Sequence, residues 1–284
     1  MKTKRIKAFL IAALLAFESI AVGVVPAGAQ VVSENTVLEN VVPEGADSKN
    51  ATPETVVERE TSLTQDITDT DGSLTWTLST DGHLTISGNG DYAEREFPYD
   101  SGWLAYKEDI VTATVDVSGI KSTGHMFYQC SNLTSVEWIN FDTKDVTTMS
   151  DMFNGCSSLT SLDVASFDMS NVTNMDRMFA GCSSLASLNV TDFDTKNVTT
   201  MVAVFSGCSR LESLDVSGFN TEKVIDLRCM FRDCSSLTKL DLSGFVTSNV
   251  TDMSYMFERC SSLTGLDVSH FDTQGVKKMV RMFY

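Results

Sequence analysis

One interval governs this sequence. Cysteines stand at Cys130, Cys156, Cys182, Cys208, Cys234 and Cys260, each 26 residues from the next. Phenylalanine keeps the same interval in two columns: Phe127, Phe153, Phe179, Phe205, Phe231, Phe257 and Phe283, then Phe141, Phe167, Phe193, Phe219, Phe245 and Phe271. A fixed period of this size, held by apolar residues, marks a small unit that cannot bury its own apolar face and must stack on its copies. The chain therefore reads as an α/β solenoid. That reading constrains the architecture strongly and the chemistry weakly, because a solenoid offers a surface rather than a reaction.

The copy Cys182–Gly207, CSSLASLNVTDFDTKNVTTMVAVFSG, shows what each coil should contain. In L-x-x-L-x-V, Leu188 and Val190 face one side and Asn189 the other, the period of a short strand. In the preceding copy Met175, Met178 and Phe179 have the i, i+3, i+4 spacing of one helical face. Thr173 followed by Asp176 resembles a capping box at its start. Each coil is thus expected to contribute a strand to a parallel β-sheet on one face and a short helical or 3-10 segment on the other. Strands stacked at about 4.8 Å per coil would build that sheet.

The chain ahead of the repeats falls into three parts. Lys2, Lys4, Arg5 and Lys7 precede an apolar run from Ala8 to Val25, closed by Ala27-Gly28-Ala29. These are the parts of a secretory signal peptide, residues 1–29. Its removal takes the net charge from −17 to about −20. Such acidity disfavours nucleic acid and anionic membranes and favours basic partners or cations. No second apolar run follows, so no membrane insertion of the mature chain is expected. Residues 30–71 hold Pro43, Pro53, many carboxylates and no aromatic residue, and read as an acidic disordered linker. Residues 72–124 read as a β-rich N-terminal cap. Leu74–Leu78 and His83–Ser87 alternate apolar and polar residues around Thr80-Asp81-Gly82, a hairpin signal. The aromatic residues Tyr92, Tyr99, Trp103 and Tyr106 are placed either to anchor a partner or to cover the first coil. The repeats occupy 125–284 and stop at Met282-Phe283-Tyr284, ahead of the next column cysteine, which reads as a piece of a longer array.

The motifs CSSLTSLDVSxFDTxNVTxMxxMF and TWTLSTDGHLTISGNG resemble the BspA-like leucine-rich-repeat surface proteins of bacteria, from about Leu74 to Tyr284. The resemblance implies a leucine-rich-repeat solenoid, export, and adhesion or interaction at the cell surface, with extracellular or host-surface proteins as partners. Two other readings accompany it: a structural spacer that presents another module, and a glycan-binding surface.

The candidate ligand-facing residues are the outward strand column Glu137, Asp163, Asn189, Asp215, Asp241 and Asp267. Stacked carboxylates repel one another, so the column reads either as an acidic stripe for a basic partner or cations, or as a face kept polar for solubility. A single column offers calcium too few converging oxygens. A second set, Asp142, Asp168, Asp194, Asn220 and Asp272, follows the second Phe column and reads as turn residues. The cysteine column reads as buried free thiols, because parallel side chains on adjacent coils lie farther apart than a disulfide allows. Cys229, outside that column, is expected to be the most accessible thiol. The methionine columns read as core filler. Within the repeats, N-x-T sequons occur at Asn132, Asn171, Asn189, Asn197 and Asn249 and read mostly as by-products of the repeat. His83, His125 and His270 form no column, and the sequence carries no hydrolase, metalloprotease or phosphate-loop motif. The expectation is a protein that is not an enzyme and carries no cofactor or metal.

Overall fold

A computed structural model of the chain describes residues 63–92 and 102–284. All of them belong to one compact unit, Glu60–Tyr284. The expected signal peptide, most of the expected linker, and Tyr99 lie outside the described residues. Order begins earlier than the sequence reading placed it. β1 (Ile67–Asp71) takes the last five residues assigned to the linker and pairs antiparallel with β2 (Leu74–Leu78), Asp71 opposite Leu74. Gly72, at φ 62°, supplies the tight turn between them. β2 pairs antiparallel with β3 (His83–Asn89). β3 is followed by a 3-10 helix, Gly102–Tyr106, and then by β4 (Thr112–Ser118), which lies parallel to it. β5 (Ser135–Trp138) adds a second parallel pair, giving the order β1-β2-β3-β4-β5.

Period-2 burial explains which side of this sheet is core: Leu74, Trp76, Leu78, Leu84, Ile86, Ala113, Val115 and Val117 all point inward. Trp103 closes the end. It is fully buried and its Nε1 donates to the Met126 carbonyl of the first coil at 2.8 Å. Tyr92 meets its ring edge-on at 5.6 Å, and Tyr106 lies 6.0 Å from Trp76. The described aromatic residues of this region therefore cover the first coil.

From there the chain winds in coils of 26 residues, joined by parallel bridges that run Ser122, Thr148, Asn174, Thr200, Asp226, Asp252, Lys278. The Met-Phe edge of each coil departs from expectation. Among the described residues of 125–284 it holds no helix. From Met149 to Cys156 the backbone makes overlapping turns, with Met152, Asn154 and Cys156 donating to the carbonyls three residues back. The alternate N–H groups of Met149, Asp151, Phe153 and Gly155 point along the stack and donate to Asn174, Asp176, Met178 and Ala180 of the next coil at 2.7–3.0 Å. A helix needs every N–H inside its own segment; here half are taken by the neighbouring coil. The alternation places positive φ at two residues per coil: Asp151 (57°), Arg177 (55°), Ala203 (56°), Cys229 (57°) and Tyr255 (61°), and four residues on at Gly155, Gly181, Gly207, Asp233 and Arg259. Asp176 caps no helix either. Its Oδ1 accepts the Thr200 hydroxyl and the Val202 N–H of the next coil.

The opposite edge also differs. Its expected parallel sheet is formed by β3, β4 and β5 only; in later coils the L-x-x-L-x-V segments show one bridge, Ser213 to Lys239.

Buried columns hold the stack. The first Phe column packs ring on ring at 5.5–5.9 Å from Phe127 to Phe283, offset as aromatic quadrupoles prefer. The Met columns, with Met149, Met175 and Met178 fully buried, fill the space beside it. Each column cysteine after Cys130 donates its thiol proton backwards: Cys156 Sγ to the Phe127 carbonyl at 3.1 Å, and likewise Cys182, Cys208, Cys234 and Cys260. All seven thiols are free. Hydroxyls and amides do the same nearer the surface, as Thr173 Oγ1 to the Thr147 carbonyl, Ser183 Oγ to Ser157 and Asn197 Nδ2 to Ser170. One small donor per column therefore ties each coil to the one before it.

Candidate functional site

The outward column lies open to solvent along its whole length: Glu137, Asp163, Asn189, Asp215, Asp241 and Asp267 are all exposed. Glu137 sits on β5, 3.4 Å from the Thr114 hydroxyl. The other members fold back on their own coil. Asp163 Oδ1 accepts the Ala165 N–H at 3.0 Å, and Asn189, Asp215, Asp241 and Asp267 accept the N–H two residues on in the same way. These are Asx turns, the conformation in which a short polar side chain completes a bend. The Ser217 hydroxyl and N–H hold the Asp215 carboxyl below the usual carboxylate range. The Ser243 N–H does this for Asp241, and the Ser269 hydroxyl for Asp267. One carboxylate oxygen of each acid is thereby engaged and the other faces water. The column is flanked mostly by small side chains, Ser161, Ser187 and Ser213 on one side and Ala165, Thr191 and Ser217 on the other, but the same places hold Lys239 beside Asp241 and Ile139 beside Glu137.

The second set is built alike. Asp142, Asp168, Asp194, Asn220 and Asp272 accept the N–H of Lys144, Ser170, Lys196, Glu222 and Gln274. Lys144 and Lys196 also close onto Asp142 and Asp194 through their ammonium groups at 2.7 and 2.5 Å.

A charged network on the Met-Phe edge went unread in the sequence. Asp151, 3% exposed, accepts Arg177 Nε at 2.9 Å from the next coil and lies 3.5 Å from His125 Nε2 of the coil before. Burial pushes the His125 imidazole down; Asp151 opposes that and Arg177 adds to it. Farther along, Glu258, 1% exposed, pairs with Arg232 at 2.6 Å and Arg281 at 3.9 Å. Arg228 binds Asp226 at 2.8 Å and approaches Asp252, and Arg259 reaches Asp233 at 3.2 Å. His125, Asp151, Arg177, Arg228 and Arg281 occupy the variable places of M-x-x-M-F and the others flank that motif, positions that look like solvent-facing turns. The available signal was opposite charge at the repeat interval, as in Asp151 with Arg177 and Asp233 with Arg259.

Burial pushes the column thiols up, Cys182 to about 12 and Cys260 to about 11, so they are protonated at neutral pH. Cys229 is half-buried, as is Cys260. Among the described residues no group of three or more His, Cys, Asp or Glu converges as a metal site, and no helix is long and apolar enough to cross a membrane.

A family model described as "Mycoplasma protein of unknown function, DUF285" matches residues 101–189 and 181–284. No curated protein matches the chain. Among solved structures the chain is similar to a leucine-rich repeat protein from Eubacterium ventriosum, at 16% identity and TM-score 0.24, over 76% of this chain and 95% of that one. It is also similar to a leucine rich cell surface protein from Faecalibacterium prausnitzii, at 18% identity and TM-score 0.31, over 61% of this chain and 54% of that one. A third is the leucine-rich repeat domain of the type III effector XopL, at 13% identity and TM-score 0.27, over 68% of each chain.

Proposed function

The chain belongs to the family described as Mycoplasma protein of unknown function, DUF285, and on that premise we propose that it is an exported, non-enzymatic surface protein of the BspA-like leucine-rich-repeat kind. Its solenoid binds a basic extracellular or host-surface protein through the outward column. One observation carries this reading. Asp163, Asn189, Asp215, Asp241 and Asp267 bond only within their own coil, whereas the charges of the Met-Phe edge bond between coils. Stacking therefore makes no use of these five side chains, and their outer oxygens stand in a row among mostly small side chains, with Lys239 beside Asp241. A row of like charges over a flat polar strip is complementary to a basic surface.

The test is binding of the full chain to a panel of basic extracellular-matrix and cell-surface proteins at low and physiological salt. It is run beside a variant in which Asp163, Asp215, Asp241 and Asp267 are each changed to Asn. Asparagine keeps the Oδ1 acceptor of the Asx turn, so the variant, produced in a host without an N-glycosyltransferase because N-x-S sequons arise at positions 215, 241 and 267, removes charge and leaves the bend. Loss of four partly screened charge contacts should weaken binding about tenfold and flatten its salt dependence. Equal binding by both proteins would point instead to a spacer that presents another module.

A further inference from the structure

Of the six N-x-T sequons, Asn50 lies outside the described residues, and the fold treats the other five, alike in sequence form, differently. Four have their amide nitrogen committed. Asn171, Asn197 and Asn249 donate Nδ2 to the carbonyls of Lys144, Ser170 and Glu222 in the preceding coil at 2.7–2.8 Å. Asn132 donates to the Glu108 carbonyl. Asn189 is built the other way round. Its Oδ1 accepts both the N–H and the hydroxyl of Thr191, at 3.2 and 2.8 Å, and its Nδ2 bonds to no described residue. It is exposed, on the outward face, where the column positions beside it hold Ser187 and Thr191.

We propose that Asn189 is the acceptor for an N-linked sugar on the folded chain, the donor being a diphosphate-activated hexose. A carboxamide nitrogen is a poor nucleophile because its lone pair is delocalised into the carbonyl. The geometry at Asn189 addresses this through its own sequon threonine: two donors on Oδ1 polarise the carboxamide and make its N–H easier to remove. In the transfer, Nδ2 attacks the anomeric carbon. The bond from that carbon to the diphosphate oxygen breaks, the diphosphate leaves with the electron pair, and an Nδ2 proton passes to the transferase. Nothing is oxidised or reduced. At Asn171, Asn197 and Asn249 the same attack first requires breaking an inter-coil hydrogen bond.

The experiment compares rates on the folded full chain with rates on five synthetic peptides, each centred on one sequon. It uses a sequon-specific N-glycosyltransferase chosen because it modifies all five peptides, with its nucleotide-hexose donor, and peptide-mapping mass spectrometry as the readout. Asn189 should be modified in the folded chain at close to its peptide rate. The other four should be slowed about tenfold or more relative to theirs, the factor that goes with breaking one intramolecular hydrogen bond. Asn189→Gln should leave residues 125–284 of the folded chain essentially unmodified, and Thr191→Ser, which keeps the hydroxyl, should retain the rate. Suppression of Asn189 as deep as that of Asn171 would overturn the proposal. So would undiminished sugar uptake within residues 125–284 by Asn189→Gln.

Discussion

On the Met-Phe edge of a coil, Asp151 finds its partners one coil to either side, His125 and Arg177. On the outward edge of the same coil, Asp163 finds its partner two residues on, at the Ala165 N–H. The two side chains are chemically identical, yet one helps to join coils and the other only shapes a bend. The difference follows from the backbone. Along the Met-Phe edge alternate N–H groups are turned toward the next coil, which brings neighbouring turns and their side chains into register. On the outward edge cross-coil backbone bonds are few and the side chains are left to local partners. A polar residue in a stacked repeat is therefore structural or available according to where its hydrogen bond ends.

Four measurements test that division, the largest effect first. Above pH 9 the unfolded chain releases its thiol protons, while the buried column thiols, with folded values raised above 9.0, retain theirs. A raised value contributes stability below the unfolded one that is lost as pH rises toward the folded one. Each buried thiol should cost about 1 kcal/mol per pH unit in that window. Urea melts between pH 8 and 11 should show a steep loss, and a neutral-pH thiol titration of the native protein should detect Cys229 and Cys260 well ahead of the rest.

Next, Phe205→Ala opens a gap in a ring stack that is filled on both sides, at 5.8 Å toward Phe179 and Phe231. The expected loss is ~3–5 kcal/mol, read from the denaturation midpoint.

Third, Glu258→Ala leaves Arg232 and Arg281 without their shared buried carboxylate. Both guanidinium groups keep access to water, so the loss should be about 2 kcal/mol, below that of a fully buried broken pair. A cycle with Arg232→Ala should show coupling between the two.

Last and smallest, the fourfold Asp-to-Asn change on the outward column should leave the urea midpoint at pH 7 essentially unchanged. It should also soften acid unfolding. The lowered values of Asp215, Asp241 and Asp267 contribute stability above their unfolded values, and it is lost as pH falls through the folded ones. A large loss at pH 7 would mean that the column holds coils together after all.

The period, the buried cysteines and the two Phe columns were legible because identical residues at a fixed interval leave stacking as the way to bury them. The Asx turns were legible too, since that bond is made within three residues. The helical segment was misread because Met175, Met178 and Phe179 satisfy i, i+3, i+4 spacing whether the turns between them close a helix or a chain of β-turns. Apolar spacing reports which side chains point inward, not where the N–H groups point. The inter-coil ion pairs escaped notice because each coil was read alone, and their partners lie one repeat away.

By itself, then, the sequence determined that this chain is a stack, which residues fill its interior, and which acids line its outer face. The tertiary structure alone decided where each backbone N–H and polar side chain finds its partner. It also separated Asn189 from four sequons of the same sequence form. The physical reason is that burial is a property of a residue type repeated along a chain, whereas a hydrogen bond is directional, and its direction is set only when one coil lies against the next.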